Sequence, residues 1–198
     1  MSLVTFDRAT LHASPWKNGG GVTREIACWP QGAGMNDFLW RLSIATVAAS
    51  GPFSAFPGID RVITLLDGPG VRLTSDDGVI AHRLDKPLAP FAFPGEAAIH
   101  GAVLGEASSD FNVMTRRADV RAQVEVLHDP SSIALAPHGM LLSVDGYWQM
   151  HDAIDGTERL LGPGQGLWWA DETHGGQVLP DAAGTSLIVV RILPLSES

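Results

Sequence analysis

Ile63-Thr64-Leu65-Leu66-Asp67-Gly68 and Leu141-Leu142-Ser143-Val144-Asp145-Gly146 lie 78 residues apart and read alike. Each is a short apolar run closed by Asp-Gly, a dipeptide that turns a strand back on itself because both residues tolerate positive φ. A second pair follows: Pro90-Phe91-Ala92-Phe93-Pro94-Gly95-Glu96 and Gly166-Leu167-Trp168-Trp169-Ala170-Asp171-Glu172, 76 residues apart. The two-residue difference falls in the turn-rich stretch between them, where insertions are tolerated. A strand, an Asp-Gly turn, a variable hairpin and a second apolar strand make the layout of half a jelly roll. Its recurrence predicts two such halves in tandem.

The rest of the chain agrees. Glycine (22) and proline (13) punctuate its length and leave only short runs, which favours strands. Val120, Ala122, Val124 and Val126 alternate with Arg121, Gln123 and Glu125, the pattern of a half-buried strand. No segment holds three turns of helical periodicity. The expected fold is all-β: a bicupin of two jelly-roll-type β-barrel halves with few short helices. The halves are 1–117 and 118–198, joined as one compact unit. Strand alternation places one of Trp168 and Trp169 in the core and the other near the surface or at a dimer contact. A homodimer is the simplest assembly to expect.

The net charge of −9 is uneven: residues 1–120 carry 10 basic against 12 acidic groups, residues 121–198 carry 3 against 10. Neither part is a basic footprint, so no nucleic-acid partner is expected. No stretch approaches the roughly 20 apolar residues of a membrane helix, and no membrane partner is expected. The single cysteine, Cys28, excludes an internal disulfide framework. With no leader-like segment at Met1 to Leu11, the expected location is the cytoplasm.

Metal chemistry finds little footing. The usual cupin site needs two histidines two residues apart on one strand, a glutamate and a third histidine. The histidines here stand at 12, 82, 100, 128, 138, 151 and 174, with no His-x-His pair. His100 and His174, each just after a second-strand run, are the residual candidates; no metal and no cofactor is expected. No Gly-x-Ser-x-Gly elbow is present. Asn18-Gly19-Gly20-Gly21 lacks the phosphate-loop pattern and reads as a tight turn where a ligand or another strand comes close.

Charged residues on strand faces that should be apolar are the better signal. Arg24 shares a face with Val22 and Ile26, Arg61 with Ile63 and Leu65, and Arg41 with Ser43. Along Asp110–Arg116, one side carries Asp110, Asn112, Met114 and Arg116. A guanidinium turned inward needs a partner, since an unpaired buried charge costs several kcal/mol. That partner is either internal, with Glu25, Asp60 and Asp110 available, or an anionic ligand gripped by forked Arg groups.

Four blocks carry a family resemblance: Trp16-Lys17-Asn18-Gly19-Gly20-Gly21-Val22-Thr23-Arg24-Glu25; Trp40-Arg41-Leu42-Ser43-Ile44-Ala45; residues 51–61, Gly-Pro-Phe-Ser-Ala-Phe-Pro-Gly-Ile-Asp-Arg; and residues 110–117, Asp-Phe-Asn-Val-Met-Thr-Arg-Arg. In this order and spacing the chain resembles the HutD/Ves family over its first 117 residues, and more loosely beyond. The resemblance implies a bicupin with a metal-free pocket and, for the HutD branch, an accessory or regulatory role in histidine utilisation. The implied guest is a small anionic carboxylate such as N-formylglutamate or urocanate. The positions carried over as ligand-binding are Lys17, Asn18, Arg24, Arg41, Ser43, Arg61, Asn112 and Arg116. The alternative is a metal-free cupin enzyme of isomerase or epimerase type, with Glu25, Asp110 and Lys17 as its acid and base groups.

Overall fold

A computed structural model of the chain describes residues 3–195. Every regular element among them is a strand, and none of the expected short helices forms. In chain order these are β1 (Val4–Asp7), β2 (Ala13–Pro15), β3 (Gly21–Trp29), β4 (Trp40–Val47), β5 (Gly51–Pro52), β6 (Ile59–Asp67), β7 (Val71–Ser75), β8 (Ala81–Leu84), β9 (Phe91–Pro94) and β10 (Ile99–Val103). There follow β11 (Ser108–Arg116), β12 (Val120–Leu127), β13 (Ser131–Ala136), β14 (His138–Asp145), β15 (Trp148–Asp152), β16 (Glu158–Leu161), β17 (Gln165–Trp169), β18 (His174–Pro180) and β19 (Ser186–Pro194).

The strands form two compact units. His12–Val120 is one; the other joins the described part of Met1–Leu11 to that of Arg121–Ser198. The first unit holds a six-stranded sheet, β2-β3-β4-β11-β6-β9, and a four-stranded sheet, β5-β10-β7-β8. The second holds a five-stranded sheet, β1-β17-β14-β19-β12, and a four-stranded sheet, β13-β18-β15-β16. The expected division at 117/118 therefore misses the N-terminal residues. Four residues of β1 pair in register with β17, Val4 facing Trp168 and Asp7 facing Gln165, so they cover an edge far away in sequence.

The repeat is present at the level of pairing. The order β9-β6-β11-β4 matches β17-β14-β19-β12, and β5-β10-β7-β8 matches β13-β18-β15-β16. Even the irregularity recurs: the β6–β11 ladder slips between Ser109 and Asp110, the β14–β19 ladder between Ser143 and Asp145. These sheets are open rather than closed barrels, because the corners between strands interrupt the ladder. At the corner from β6 to β7, Gly68 and Gly70 have φ of 93° and 95°. A Cβ at Gly70 would fall 2.1 Å from the Leu84 carbonyl, so only glycine fits.

Each unit buries a core between its two sheets. In the first, Val47, Ile63, Leu65 and Phe93 meet Val71, Leu73, Leu84 and Ile99. In the second, Leu141, Leu167, Trp169, Leu187 and Val189 meet Ile133, Trp148, Met150, Leu161 and Val178. Trp168 points away from that core yet is only 6% exposed, against 1% for Trp169, so the expectation of one surface tryptophan fails. Alternation still holds, but this sheet is covered on both faces, and both alternating sets become apolar. Among the described residues no helix is long and apolar enough to cross a membrane.

Candidate functional site

In the first unit the inner face of the six-stranded sheet is not apolar throughout. Register sets Thr23, Ala45, Asp110 and Leu65 in one row, and Glu25, Ser43, Asn112 and Ile63 in the next. A third row holds Arg41, Met114, Arg61 and Phe93. Pairing brings these side chains onto one face because directly opposed residues share a side. A cavity of about 610 Å³ opens over them. Its lining includes Lys17, Asn18, Arg41, Ser43, Arg61, Asp110 and Asn112, with Trp16, Phe53 and Phe56 as aromatic walls.

Arg61, Asn112 and Asp110 form a buried chain at its floor. Arg61 Nη2 donates to Asn112 Oδ1 at 2.9 Å, and Asn112 Nδ2 donates to Asp110 Oδ1. Arg61 Nε and Asp110 Oδ2 are buried without a hydrogen-bond partner among the described residues. The guanidinium carbon of Arg61 lies 5.0 Å from the Phe93 ring centre, 5.7 Å from that of Phe53 and 5.8 Å from that of Phe56. Ring faces of this kind stabilise a cation while offering no counter-charge. Burial lowers the Arg61 pKa to about 10, opposed by the Asp110 charge, so it remains a cation at neutral pH. Burial raises the Asp110 pKa to about 7 against the pull of Arg61 and the bond from Asn112.

The rim is built locally. Residues 17–20 turn β2 into β3, with Gly19 at φ 71° and Asn18 Oδ1 accepting from the Gly20 amide at 3.0 Å. A Cβ at Gly21 would lie 2.2 Å from the Thr46 carbonyl, so the glycine run is a close strand approach. The turn sets Lys17 and Asn18 at the cavity edge. Trp16 is held by its indole N–H donating to Thr23 Oγ1 at 2.8 Å and by an edge contact with Phe53. Arg41 donates from Nε to Glu25 Oε2 at 2.7 Å.

Six of the eight carried-over positions thus line one cavity, and two do not. Arg24 pairs with Ile44 on the opposite face and reaches Thr46 Oγ1 at 3.5 Å. The ladder slips between Glu25 and Ala27, so Ile26 is an extra residue, and its apolar side chain misassigns the phase of β3. Arg116 is turned to the chain itself, donating to the carbonyls of Phe38 (2.9 Å) and Asn36 (2.9 Å). Its place near the strand end puts it beyond the cavity. The aromatic walls were missed in the sequence; Phe53 and Phe56 flank the tight turns of residues 51–58, where alternation gives no signal.

The second unit is an internal comparison. By register, Arg61, Asp110 and Asn112 correspond to Gly139, Leu187 and Val189, and Phe93 to Trp169. The polar floor is there replaced by packed core. The fold therefore does not require the polar chain. His174, a residual metal candidate, instead shares a 2.7 Å contact with buried Asp152, and His100 is exposed on β10. Among the described residues no three His, Cys, Asp or Glu side chains gather as a metal ligand set.

The family model described as HutD matches residues 8–188. Protein Ves of Cronobacter sakazakii is 41% identical over 170 residues, which cover 85% of this chain and 88% of that protein. The structure of HutD from Pseudomonas fluorescens SBW25 superposes with a TM-score of 0.82 at 28% identity, covering 98% of this chain and all of the other. An oxalate decarboxylase of Lactobacillus farciminis shares the cupin-like fold alone, at a TM-score of 0.67 and 8% identity over 98% of this chain and 87% of that one.

Proposed function

The chain belongs to the HutD family, and from that premise we propose that it is a small-molecule-binding accessory protein of histidine utilisation, working in the cytoplasm. Its guest is an anionic intermediate such as N-formylglutamate or urocanate, held without a metal in the cavity of the first unit. The two units are read as the jelly-roll halves of a bicupin, of which one keeps the site and the other has filled it.

One observation carries the reading: Arg61 is buried at the cavity floor with, among the described residues, no partner for its Nε and no carboxylate bonded to it. A buried cation left in this state costs stability that a core residue would return. A carboxylate guest supplies the missing acceptor in a charge-assisted bond. Lys17 and Arg41 at the same cavity add positive field, and the aromatic walls exclude water from the guest. Glu25 is less suited to acid–base work than the sequence implies, because it is held by Arg41.

Calorimetric titration with N-formylglutamate and with urocanate tests this. Saturable binding at millimolar ligand or below is expected, lost on Arg61→Leu while folding is retained. Absence of binding to both, for protein shown to be folded, sinks it.

A further inference from the structure

We propose that Asp110 is itself a ligand-binding residue that acts as a neutral acid, donating a hydrogen bond from Oδ2 to a carboxylate oxygen of the guest. Where Asp110 is ionised beforehand, the guest then enters together with one proton taken from solvent. This rests on the reading of the cavity as a carboxylate site and adds to it how the charge is balanced.

The hydrogen-bond chemistry leaves little choice of arrangement. Arg61 has donors only, so the atom of Asn112 that meets its Nη2 is the amide oxygen. The amide nitrogen of Asn112 therefore faces Asp110, and it too can only donate. Asp110 Oδ1 must accept, which leaves Oδ2 as the atom that carries a proton. That atom is buried, has no partner among the described residues, and belongs to a residue lining the cavity.

Charge points the same way. The charged groups that line the cavity with Asp110 are Arg61 on β6, Arg41 on β4, itself bonded to Glu25 on β3, and Lys17 in the turn between β2 and β3; of these, Arg61 acts on its charge directly. The lining drawn from residues 52–56 is uncharged. An ionised Asp110 would offset Arg61 and repel an anion at close range in a medium of low dielectric. Protonated, it leaves Arg61 unopposed and becomes a donor. Burial holds the acid at a pKa of about 7, so both forms are accessible near neutrality. Leu187 fills the corresponding place in the second unit, so the architecture has no need of an acid here.

N-formyl-L-glutamate is a suitable probe, since its carboxylates stay ionised from pH 6 to 8. Titration calorimetry at both pH values, in two buffers of different ionisation enthalpy, should give binding about tenfold weaker at pH 8, with uptake of about one proton there. Asp110→Asn keeps a neutral donor and should bind equally at both pH values with no uptake. Equal wild-type affinity at both pH values without proton uptake overturns the inference and leaves the carboxylate site standing. So does an unchanged pH dependence in Asp110→Asn. Failure of wild-type protein to bind at either pH removes both. The proton count needs no variant, so the test survives if Asp110→Asn does not fold.

Discussion

Trp169 occupies the space above Gly139: a Cβ on that glycine would lie 2.3 Å from the Trp169 ring and 2.7 Å from the Val190 carbonyl. The corresponding pair in the first unit is Phe93 and Arg61, with the smaller ring beside the larger strand residue. Side-chain volume has been exchanged between paired positions. Gly139→Ala should therefore destabilise by about 1–3 kcal/mol through overpacking, and Trp169→Ala by about 3–5 kcal/mol through the cavity left behind. Gly139→Ala combined with Trp169→Phe should cost less than the sum of the single changes, because the smaller ring relieves the nearest contact of the methyl and leaves only that with the Val190 carbonyl. Chemical denaturation of these variants and of Trp169→Phe alone checks this; strict additivity of Gly139→Ala and Trp169→Phe would show that the two residues do not share that volume.

Arg61 and Arg116 stand on one strand-face pattern in the sequence but should answer differently to mutation. Arg116 closes the backbone carbonyls of Asn36 and Phe38. Its truncation to alanine should lower stability by about 1–2 kcal/mol and leave carboxylate binding unchanged. Arg61→Leu removes a buried charge but leaves Asn112 Oδ1 without its donor, so it should stay folded within about 1–3 kcal/mol of the parent, yet bind no carboxylate. Paired thermal melts and ligand titrations distinguish the two; a loss of binding in Arg116→Ala would place that residue back in the site.

The fold was legible because its repeat is written in turns. Asp67-Gly68 and Asp145-Gly146 mark equivalent corners, and alternation then fixes which side chains share a face. The same rule located Arg41, Ser43, Arg61 and Asn112 on the cavity face. It failed at Arg24, where one inserted residue at Ile26 reverses the phase, and a bulge leaves no mark in composition. It failed again at Trp168, because alternation says which way a side chain points and not whether that face is covered. β1 was unreadable for a related reason: four residues carry too little pattern to reveal a partner strand more than 150 positions away.

Outside the cavity, Arg117 links the end of β11 to two acids. Nη1 and Nη2 donate to the two oxygens of Glu96 at 2.7 and 2.8 Å, and Nε donates to Asp60 at 2.5 Å. Arg117 holds the Glu96 pKa down to about 2, mainly through these bonds. A depressed folded-state pKa adds stability above the unfolded value, near 4.5, that is lost as pH falls through about 2. Glu96→Gln should lower stability at pH 7 to 8 by the small worth of an exposed pair, cost nothing near pH 2, and so flatten the profile between those limits. Denaturation midpoints across pH 2 to 5 check it, and a profile as steep as the parent's would assign the acid sensitivity elsewhere.

Asp110 has the opposite sign. Its folded-state pKa is raised from 3.8 to about 7 by burial, so the folded protein holds a proton that the unfolded chain has released. Its contribution is fully present below about pH 4 and is lost as pH rises through 7. At pH 8 the ionised carboxylate sits buried at a cost on the order of 4 kcal/mol. Asp110→Asn, which carries no charge at any pH, should thus be more stable than the parent at pH 8 by that order, with the gap closing toward pH 4. Urea denaturation at pH 4, 6 and 8 measures it. On the proposed reading, what this acid does for a guest offsets its cost to the fold above pH 7, a cost avoided in the other unit, where Leu187 holds the corresponding place. An Asp110→Asn gap independent of pH would rule out that cost.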